Sequence, residues 1–485
     1  MQTTIVWFRQ DLRLTDNPAL QYALLNGAIV PIYIWDESVS TEWSMGSASK
    51  WWVHHSLTSL SESLEKLGHT LHILKGDPID VLEHLIGITG ATAVTWNRCY
   101  EPYSIHRDQN IKSVLTQRGV NVKTFNASLL FEPWTIHPIN GDFFKMFTPF
   151  WKQCLKQPIG SIVDSLSLLK KVKPYPMPIA DSCSVDALNL QPTNPNWATG
   201  FDQFWHPGEA GALKAFQSFL NKIHQYKVSR DFLDQDGTSK LSPHLHFGEI
   251  SPRYLWQTCQ TLLEVQPDHA GNIHCFLTEI GWREFSYHLL YHVPDLPTQP
   301  FRTQFKNFPW QDDSLRFQAW KQGKTGIPIV DAGMRELWQT GYMHNRARMI
   351  VASFLTKNVL IAWQNGEAWF WDTLLDADLA NNSASWQWVA GCGADAAPYF
   401  RIFNPVLQGK KFDPSGDYVR RWVPELKALN TKYIHHPWEA PESILTAANV
   451  RLGQTYPLPI VDLQTSRRRA LDAYKQPLNS SKVFS

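Results

Sequence analysis

The sequence is short of cysteine and of net charge, and each shortage excludes a class of protein. Its six cysteines are scattered without a Cys-x-x-Cys pair, so no zinc site, iron–sulfur cluster or disulfide framework is indicated. We therefore expect no metal and a reducing compartment. The formal charge is only +1, which excludes a protein that binds nucleic acid through a strong overall positive field. Any contact with DNA has to be local.

Long apolar runs and a dinucleotide fingerprint are also missing. No uninterrupted apolar segment reaches the length that spans a membrane, and the chain opens with MQTTIVWFRQ rather than with an apolar signal segment. We therefore expect a cytoplasmic protein, a monomer without membrane contact. No Gly-x-Gly-x-x-Gly follows the first predicted strand, so an NAD domain is not evident.

Aromatic residues, by contrast, are abundant. The chain has 22 Trp, 25 Phe and 15 Tyr among 485 residues. Because each large ring needs a buried place and each indole N–H usually needs an acceptor, we expect some tryptophans to stack on ligands or to carry electrons. The length exceeds what one hydrophobic core usually serves, which predicts at least two domains.

The first part of the chain alternates short β-rich runs with helical segments. Strands are predicted at TTIVWF, AIVPIYIW, HTLHIL, TAVTWN and VNVKTF. Helices are predicted over 17–26, starting at Asp16, and over 47–67, with Gly68 as the C-cap. This alternation predicts an α/β N-terminal domain with a doubly wound parallel sheet over residues 1–130.

The remainder of the chain is predicted to be helical. Residues 131–207 are interpreted as an interdomain connector, because Lys170 to Trp197 contains five prolines and little periodicity. Beyond Gly208, helical patterns over 209–223, 274–291, 329–340 and 345–361 predict a larger all-α domain over 208–485.

The segment from Asp376 to Phe403 concentrates polar chemistry in this helical half. Asp376, Asp378 and Asn382 are short side chains of the kind that fix the polar edge of a planar ring, and Trp386 and Trp388 add oxidisable rings. These residues indicate a buried redox cofactor. The alternative is structural, since Asp and Asn form turns and Trp beside small residues usually packs in a core.

Two further segments suit the walls of such a site. In TSKLSPHLHFG, residues 238–248, hydroxyl groups precede a Pro-initiated helix, which suits a pyrophosphate or, alternatively, a simple helix cap. In EIGWREF, Glu279, Trp282 and Arg283 share one helical face, which suits a cavity wall or a salt bridge beside a buried Trp.

A third segment, TGYMHNRARM, is basic. Asn345, Arg348 and Met349 share one helical face, whereas Arg346 points elsewhere and is free for a phosphate. The alternative is a basic helix on the surface.

In order and spacing, these segments resemble the flavin domain of the photolyase and cryptochrome family. The resemblance covers nearly the whole chain, from IVWFRQDLRLTDNPAL through FTPFWK to WQWVAGCGADAAPYFRIFNPVLQGKKFD. Within the family it points to the cyclobutane-dimer photolyases, in the branch closest to plant cryptochromes.

The resemblance implies a U-shaped FAD. The matching positions are Tyr226, Thr238, Ser239, Leu241 and Ser242 at the phosphates and ribityl chain, and Arg283, Asn345, Arg348, Asp376 and Asp378 around the bent cofactor. Arg348 and Asp376 are expected to form an ion pair beside the isoalloxazine.

Asn382 matches the residue that faces flavin N5. Photolyases of the family have Asn at this position, animal cryptochromes have Cys and plant cryptochromes have Asp. An amide oxygen there accepts a hydrogen bond from N5–H, so the reduced flavin is favoured, and repair with it.

The implied reaction is electron donation from light-excited FADH⁻ to a cyclobutane pyrimidine dimer that is flipped out of DNA. Glu279, Asn345, Trp282, Met349 and Trp388 match the lesion cavity. Enzymes of the family that repair (6-4) lesions have a pair of histidines where this chain has Asn345 and Met349, so cyclobutane dimers are the expected substrate.

Three tryptophans, Trp386, Trp363 and Trp310, match the relay that reduces the family's flavin, and each alone would be interpreted as core. Arg230, Arg346 and Arg401 are expected to bind the DNA backbone. For Lys410 and Lys411 a solvated-surface role is an equal alternative.

The antenna chromophore stays open between methenyltetrahydrofolate and a deazaflavin. The best-known folate site of the family has an Asn-Glu pair where WNRCYEPYSIHRD has Tyr103 and Ser104. Trp43, Trp51 and Trp52 could stack an antenna, although a core role is favoured for the last two.

Two other functions remain alternatives. One is a cryptochrome-type blue-light photoreceptor without repair activity. The other is a light-independent nucleotide-binding protein whose flavin site has degenerated; such a protein would not be yellow.

Overall fold

The computed structural model describes residues 2–37, 43–396 and 401–480. Residues 397–400, which belong to the segment from Asp376 to Phe403, lie outside this part. The described residues form five strands, β1 to β5, which are Gln2–Phe8, Gly27–Trp35, His72–Lys75, Ala93–Asn97 and Asn121–Phe125.

Twenty α-helices accompany these strands in the described part of the chain. Helices α1 to α10 are Pro18–Asn26, Ser47–Glu65, Pro78–Thr89, Pro102–Gln117, Phe147–Cys154, Ser165–Leu169, Glu209–Leu220, Tyr226–Ser229, Ser242–His246 and Pro252–Val265. Helices α11 to α20 are Ala270–His292, Ser314–Lys321, Pro328–Thr340, Asn345–Ser353, Trp363–Thr373, Leu379–Ala390, Pro405–Phe412, Asp417–Trp422, Glu442–Ala447 and Leu463–Ser480. None of the described helices is long and apolar enough to cross a membrane.

The strands form one parallel sheet in the order β3-β2-β1-β4-β5. In the central register Ile5 of β1 pairs with Val30 of β2 and with Val94 of β4, and all three side chains are fully buried. Strands covered on both faces read as continuous apolar runs, which is why these segments were recognisable in the sequence. The predicted doubly wound parallel sheet is confirmed.

Helix ends show where local signals are ambiguous. Helix α1 is capped by Asn17, whose side chain accepts from the Leu20 amide, whereas the predicted cap Asp16 is turned to a positive φ of 49°. The last regular residue of helix α2 is Glu65, and a turn over residues 66–68 follows it. The predicted start at Asp16 was therefore wrong, because Asn17 takes that role. The C-cap predicted at Gly68 is supported by the backbone: Gly68 has a φ of 81°, and its amide and that of His69 donate to the Glu65 and Leu64 carbonyls at 2.9 Å each, the pattern of a glycine that ends a helix.

The chain divides into two compact units. The first unit contains residues 1–196, 202–224 and 239–294, and the second contains residues 197–201, 225–238 and 295–485. This division does not follow the predicted boundaries at 131 and 208, since α5, α6 and α9 to α11 all belong to the first unit. Long-range polar contacts explain the difference. Arg253 of α10 pairs with Asp16 at 2.9 Å, and Glu284 of α11 accepts from the Leu130 amide at 2.9 Å.

The second unit is helical and contains a large aromatic-rich core. Helix α14 was predicted to continue to residue 361, but it ends at Ser353 and passes into a π-helical turn over Phe354–Val359. In this turn the Thr356 hydroxyl donates to the Ala352 carbonyl at 2.7 Å, a backbone contact that competes with regular helix. The apolar spacing of the sequence does not distinguish the wider turn from an α-helix.

Candidate functional site

The predicted site residues fall in both units, which are described separately. The second unit holds Tyr226, Arg230, Thr238, Asn345, Arg346, Arg348, Met349, Trp310, Trp363, Asp376, Asp378, Asn382, Trp386, Trp388 and Arg401. The first unit holds Ser239, Leu241, Ser242, Glu279, Trp282 and Arg283.

A partly buried ion pair joins α14 to the segment before α16. Arg348 Nη2 lies 2.8 Å from Asp376 Oδ2, and Arg348 Nε donates to the Met343 carbonyl at 2.7 Å. Burial alone would lower the pKa of the Arg348 guanidinium. The neighbouring Asp376 carboxylate raises this pKa by more, so it lies above its usual value. The expected ion pair is therefore present.

Tyr342 packs beneath this guanidinium, with the Arg348 Cζ atom 5.1 Å from the ring centroid. Burial raises the pKa of the Tyr342 hydroxyl to about 12, so it stays protonated. Thr238, one of the predicted cofactor residues, forms a side-chain hydrogen bond with this hydroxyl. Through these two contacts, Tyr342 connects Thr238 to the ion pair of Arg348 and Asp376.

The amide of Asn382 has a fixed orientation. Its Nδ2 donates to the Glu367 carbonyl at 3.0 Å, and the residue is 8% exposed. Among the described residues no donor binds its Oδ1. The side chain therefore presents an acceptor oxygen, as a reduced flavin N5–H requires. Asp378, four residues earlier, caps α16 by accepting from the Asn381 amide at 2.8 Å, so it has a structural role as well.

Trp386 lies one turn after Asn382 on α16 and is 2% exposed. Its ring packs against Phe370 with centroids 5.0 Å apart and against Trp320 with centroids 6.2 Å apart. A Cβ atom at Gly366 would lie 2.1 Å from the Trp386 ring. Only glycine therefore permits α15 to approach α16 this closely.

The other two predicted relay tryptophans belong to the same core. Trp363 is fully buried in it, whereas Trp310 and Trp388 are partly buried and pack against its edge. The three relay residues thus range from the interior of the helical unit to its margin. Core packing and electron transfer remain compatible readings of each ring.

Arg346 is not free, contrary to the sequence-based interpretation. Its Nη2 pairs with Asp231 at 2.6 Å, its guanidinium lies 4.2 Å from the Phe412 ring centroid, and its Nη1 lies 3.8 Å from the sulfur of Met349. The prediction failed because the partner carboxylate is 115 residues away in the sequence. Asn345, the first residue of α14, is exposed.

A pocket of about 380 Å³ opens around these residues. Its lining consists of Asp231, Arg346, Met349, Arg401, Phe403, Gln408, Lys411 and Phe412. It therefore joins two of the predicted DNA-binding arginines to a predicted lesion residue. The third predicted arginine, Arg230, lies over the ring of Tyr226, 5.2 Å from its centroid.

In the first unit, α11 carries Glu279, Trp282 and Arg283. The Trp282 ring stacks on Phe147 of α5, with centroids 3.7 Å apart and planes inclined by 10°. Arg283 is buried and donates to the Ser128 carbonyl at 2.6 Å. Glu279 and Trp282 are both partly exposed, so this face of α11 reaches the surface of the unit.

The residues before α9 make few capping contacts. The helix has only five residues and its N-cap residue Leu241 has no side-chain capping bond, while the Ser239 hydroxyl accepts from the Leu241 amide at 3.4 Å. Ser239 is partly buried and Ser242 is exposed. The simple helix cap, which was the alternative interpretation, is therefore not formed at the start of α9.

The antenna candidates behave as the core interpretation expects. Trp51 and Trp52 are 5% and 0% exposed, respectively, and Trp52 Nε1 donates to the Glu249 carboxylate at 2.9 Å. Trp43 is partly exposed.

Sequence reasoning missed Asp231 and Phe147. Asp231 directly follows the predicted Arg230, and Phe147 begins FTPFWK, yet no local spacing connects either residue to its partner. The only signal in the sequence was the carboxylate of Asp231 directly after the cationic Arg230.

Comparison with known families identifies two matching regions. Residues 4–170 match the family model of DNA photolyase, and residues 276–476 match the model of the FAD binding domain of DNA photolyase.

Individual relatives match almost the whole chain. The deoxyribodipyrimidine photo-lyase of Agrobacterium fabrum is 49% identical over 474 residues, which cover 97% of each protein. Cryptochrome-2 of Arabidopsis thaliana is 41% identical over 96% of this chain and 77% of that protein. A crystal structure of a bacterial class III photolyase from Agrobacterium tumefaciens superimposes with a TM-score of 0.94 at 48% identity, covering 99% of this chain and 98% of that one.

Proposed function

The chain belongs to the photolyase and cryptochrome family, and from this premise we propose that it is a DNA photolyase that opens cyclobutane pyrimidine dimers under blue light. The two photolyase family models and the photo-lyase relative at 49% identity support this enzyme class. The proposed substrate is DNA that contains such dimers.

The family match supports FAD as the cofactor, and the residues of the second unit fit it. The Asn382 oxygen has no donor among the described residues, although buried polar atoms are usually hydrogen-bonded. The same unit supplies the paired charges of Arg348 and Asp376. When bound, reduced FAD supplies on excitation the electron that opens the cyclobutane ring and takes it back afterwards.

The protein residues have three tasks in this proposal. The Asn382 oxygen accepts a hydrogen bond from the flavin N5–H and so favours the reduced cofactor, while Arg348 and Asp376 hold the ring system beside it. Further cofactor contacts are assigned to Tyr226, Thr238, Ser239, Leu241, Ser242, Arg283, Asn345 and Asp378. Trp386, Trp363 and Trp310 pass electrons inward to restore the reduced state.

The lesion is assigned to a set of polar and aromatic side chains. Glu279 and Asn345 hydrogen-bond the bases, Trp282 and Trp388 stack on them, and Met349 supplies soft apolar lining. Stacking contributes roughly 1–3 kcal/mol per base, which offsets the few kcal/mol needed to extrude a distorted dimer. Arg230, Arg346 and Arg401 bind phosphates at the flanks.

The observation that carries repair over signalling is the oriented amide of Asn382. Its nitrogen is engaged by the Glu367 carbonyl, so the oxygen is the atom that remains for the flavin. The direct test is to illuminate the purified, reduced protein with an oligonucleotide that contains one thymine dimer. We expect light-dependent loss of the dimer and no loss in darkness; persistence of the dimer under light would refute repair.

The lesion contact of Glu279 has its own test. Glu279→Ala should weaken dimer binding by about 1–2 kcal/mol, the range for one hydrogen bond, while flavin content stays unchanged. Binding in darkness and the flavin absorbance report the two properties separately. Loss of flavin would instead place Glu279 at the cofactor.

A blue-light photoreceptor without repair activity is the second candidate, and the 41% identity to a plant cryptochrome favours keeping it. It predicts a yellow protein whose flavin responds to light while dimers persist.

An antenna, methenyltetrahydrofolate or a deazaflavin, completes the proposal. The absorption spectrum of chromophores released by acid identifies it.

A further inference from the structure

The pairing of Arg346 with Asp231 bears on how the protein exchanges DNA. The carboxylate of Asp231 is 43% exposed, whereas the Arg346 side chain is 20% exposed. The guanidinium is held from one side by the Phe412 ring. The carboxylate is therefore the partner that can swing into solvent, while the arginine stays in place.

Asp231 satisfies Arg346 only in part. One guanidinium nitrogen, Nη2, meets the carboxylate, Nη1 faces the weak acceptor sulfur of Met349, and the buried Nε has no partner among the described residues. A guanidinium offers five N–H donors. A phosphodiester, whose two non-bridging oxygens share one negative charge, can bind more of these donors than Asp231 does.

The charge of the pocket points in the same direction. Its lining contains the cations Arg346, Arg401 and Lys411, and Asp231 is the one carboxylate among the lining residues that the structure describes. A site with this excess of positive charge favours an anion, and Asp231 supplies a negative charge from within the chain.

We propose that Asp231 stands in for a DNA phosphate on Arg346, so that the guanidinium exchanges between this carboxylate in the free protein and a phosphodiester in the complex. The inference rests on the proposed function and adds a control on affinity. DNA must displace Asp231 before Arg346 can bind it, so the carboxylate weakens binding to any sequence and speeds release.

The test is a set of equilibrium binding measurements in darkness. Two duplexes are compared, one with a thymine dimer and one undamaged, with the wild type, D231N, R346Q and the D231N/R346Q double variant. Exposed ion pairs contribute little, so D231N should bind both duplexes about two- to fivefold more tightly than the wild type. The double variant should bind like R346Q, because the carboxylate acts only through Arg346.

A matched control separates local exchange from a general change of charge. Asp417 pairs with Arg420 at 3.5 Å on the same unit, is 62% exposed and does not line the pocket. D417N removes the same charge and should leave affinity unchanged. D231A provides a second removal of the carboxylate and should tighten binding as D231N does.

Four results would overturn the inference. Three concern affinity: no tightening in D231N and D231A, equal tightening in D417N, or tightening that persists without Arg346. The fourth is a change in flavin content of D231N, since the anion on Arg346 would then belong to the cofactor. Dimer repair by the wild type is measured on the same preparation. Wild-type repair without tightening in D231N refutes the exchange alone, whereas tightening without wild-type repair supports the exchange and refutes the proposed function.

Discussion

Two tryptophan pairs in the protein share one ring geometry and differ in the charges around them. In the first unit Trp7 of β1 and Trp96 of β4 have centroids 5.7 Å apart and planes at 68°. In the second unit Trp320 and Trp386 have centroids 6.2 Å apart, also at 68°. Trp7, Trp96 and Trp386 all have a buried indole nitrogen without an acceptor among the described residues, whereas Trp320 Nε1 donates to the Val351 carbonyl at 3.0 Å. An unbonded indole nitrogen thus occurs in both pairs and does not by itself distinguish them.

The cations do distinguish them. Arg9 lies 4.7 Å from the Trp7 ring centroid and Arg107 lies 5.1 Å from it, whereas among the described residues no cation lies over Trp320 or Trp386. Removing an electron from a ring leaves a positive charge, which a guanidinium at this distance opposes by about 3 kcal/mol before its carboxylate partner is counted. The same pair geometry therefore suits packing beside the sheet, and in the helical unit it is compatible with the proposed electron transfer.

Each pair also lies in a unit with a buried Arg–Asp ion pair, and breaking these ion pairs should give the largest contrast. Asp376→Asn leaves Arg348 without its countercharge, so we expect loss of bound flavin together with about 3 kcal/mol or more of stability. Asp108→Asn breaks the Arg9 pair, which is 2.6 Å long, and should lower stability similarly while flavin stays bound. The absorbance ratio of flavin to protein and the melting temperature measure both effects; flavin retained in Asp376→Asn would contradict the placement of the cofactor.

Replacing one tryptophan of each pair sharpens the comparison. Trp386→Phe should nearly abolish photoreduction of oxidised flavin, while chemically reduced enzyme still repairs dimers. Trp7→Phe should leave photoreduction unchanged and cost about 1–2 kcal/mol of stability through lost packing. Flash photolysis with an external reductant measures the rates, and equal rates in the two variants would remove Trp386 from the relay.

Acid sensitivity offers the smallest contrast between the units. Burial lowers the pKa of His288 in the first unit and of His344 in the second to about 4. The unfolded chain binds a proton near pH 6.5 that the folded chain does not bind until about pH 4, so stability rises with pH across this window, by up to about 1.4 kcal/mol per pH unit for each histidine.

His344→Asn should reduce this slope while keeping the cap of α14, because Asn also accepts from a helical amide. His344 Nδ1 now accepts from the Arg346 amide at 3.1 Å. Melting temperatures between pH 4.5 and pH 7 test the prediction, with His288 unchanged as the internal reference. An unaltered slope would show that His344 does not titrate in this range.

The sheet was predictable because its signals are local. Runs such as AIVPIYIW are apolar throughout, and each strand lies within a few residues of its predicted position. Helix starts were less so: Asn17 displaced the predicted cap Asp16 of α1, since adjacent residues offer the same chemistry.

Contact partners that are far apart in the sequence could not be predicted from residue spacing. The sequence suggested that Arg348 pairs with Asp376 only through the family resemblance, and it suggested nothing about Asp231 on Arg346 or Phe147 on Trp282. Separations of more than a hundred residues are closed by packing that no local pattern encodes. The grouping of residues 239–294 with the sheet has the same origin, in contacts such as that of Arg253 with Asp16.

Gly366 has a consequence for tuning the protein. A helix interior with glycine costs about 1 kcal/mol relative to alanine, and here the missing methyl group leaves room for the indole of Trp386. Adding that single carbon would place it 2.1 Å from the ring, so the indole or α15 would have to move, and such overpacking of a core is destabilising. The residue at position 366 thus sets the distance between α15 and the indole ring of Trp386, and a larger side chain there would change that distance.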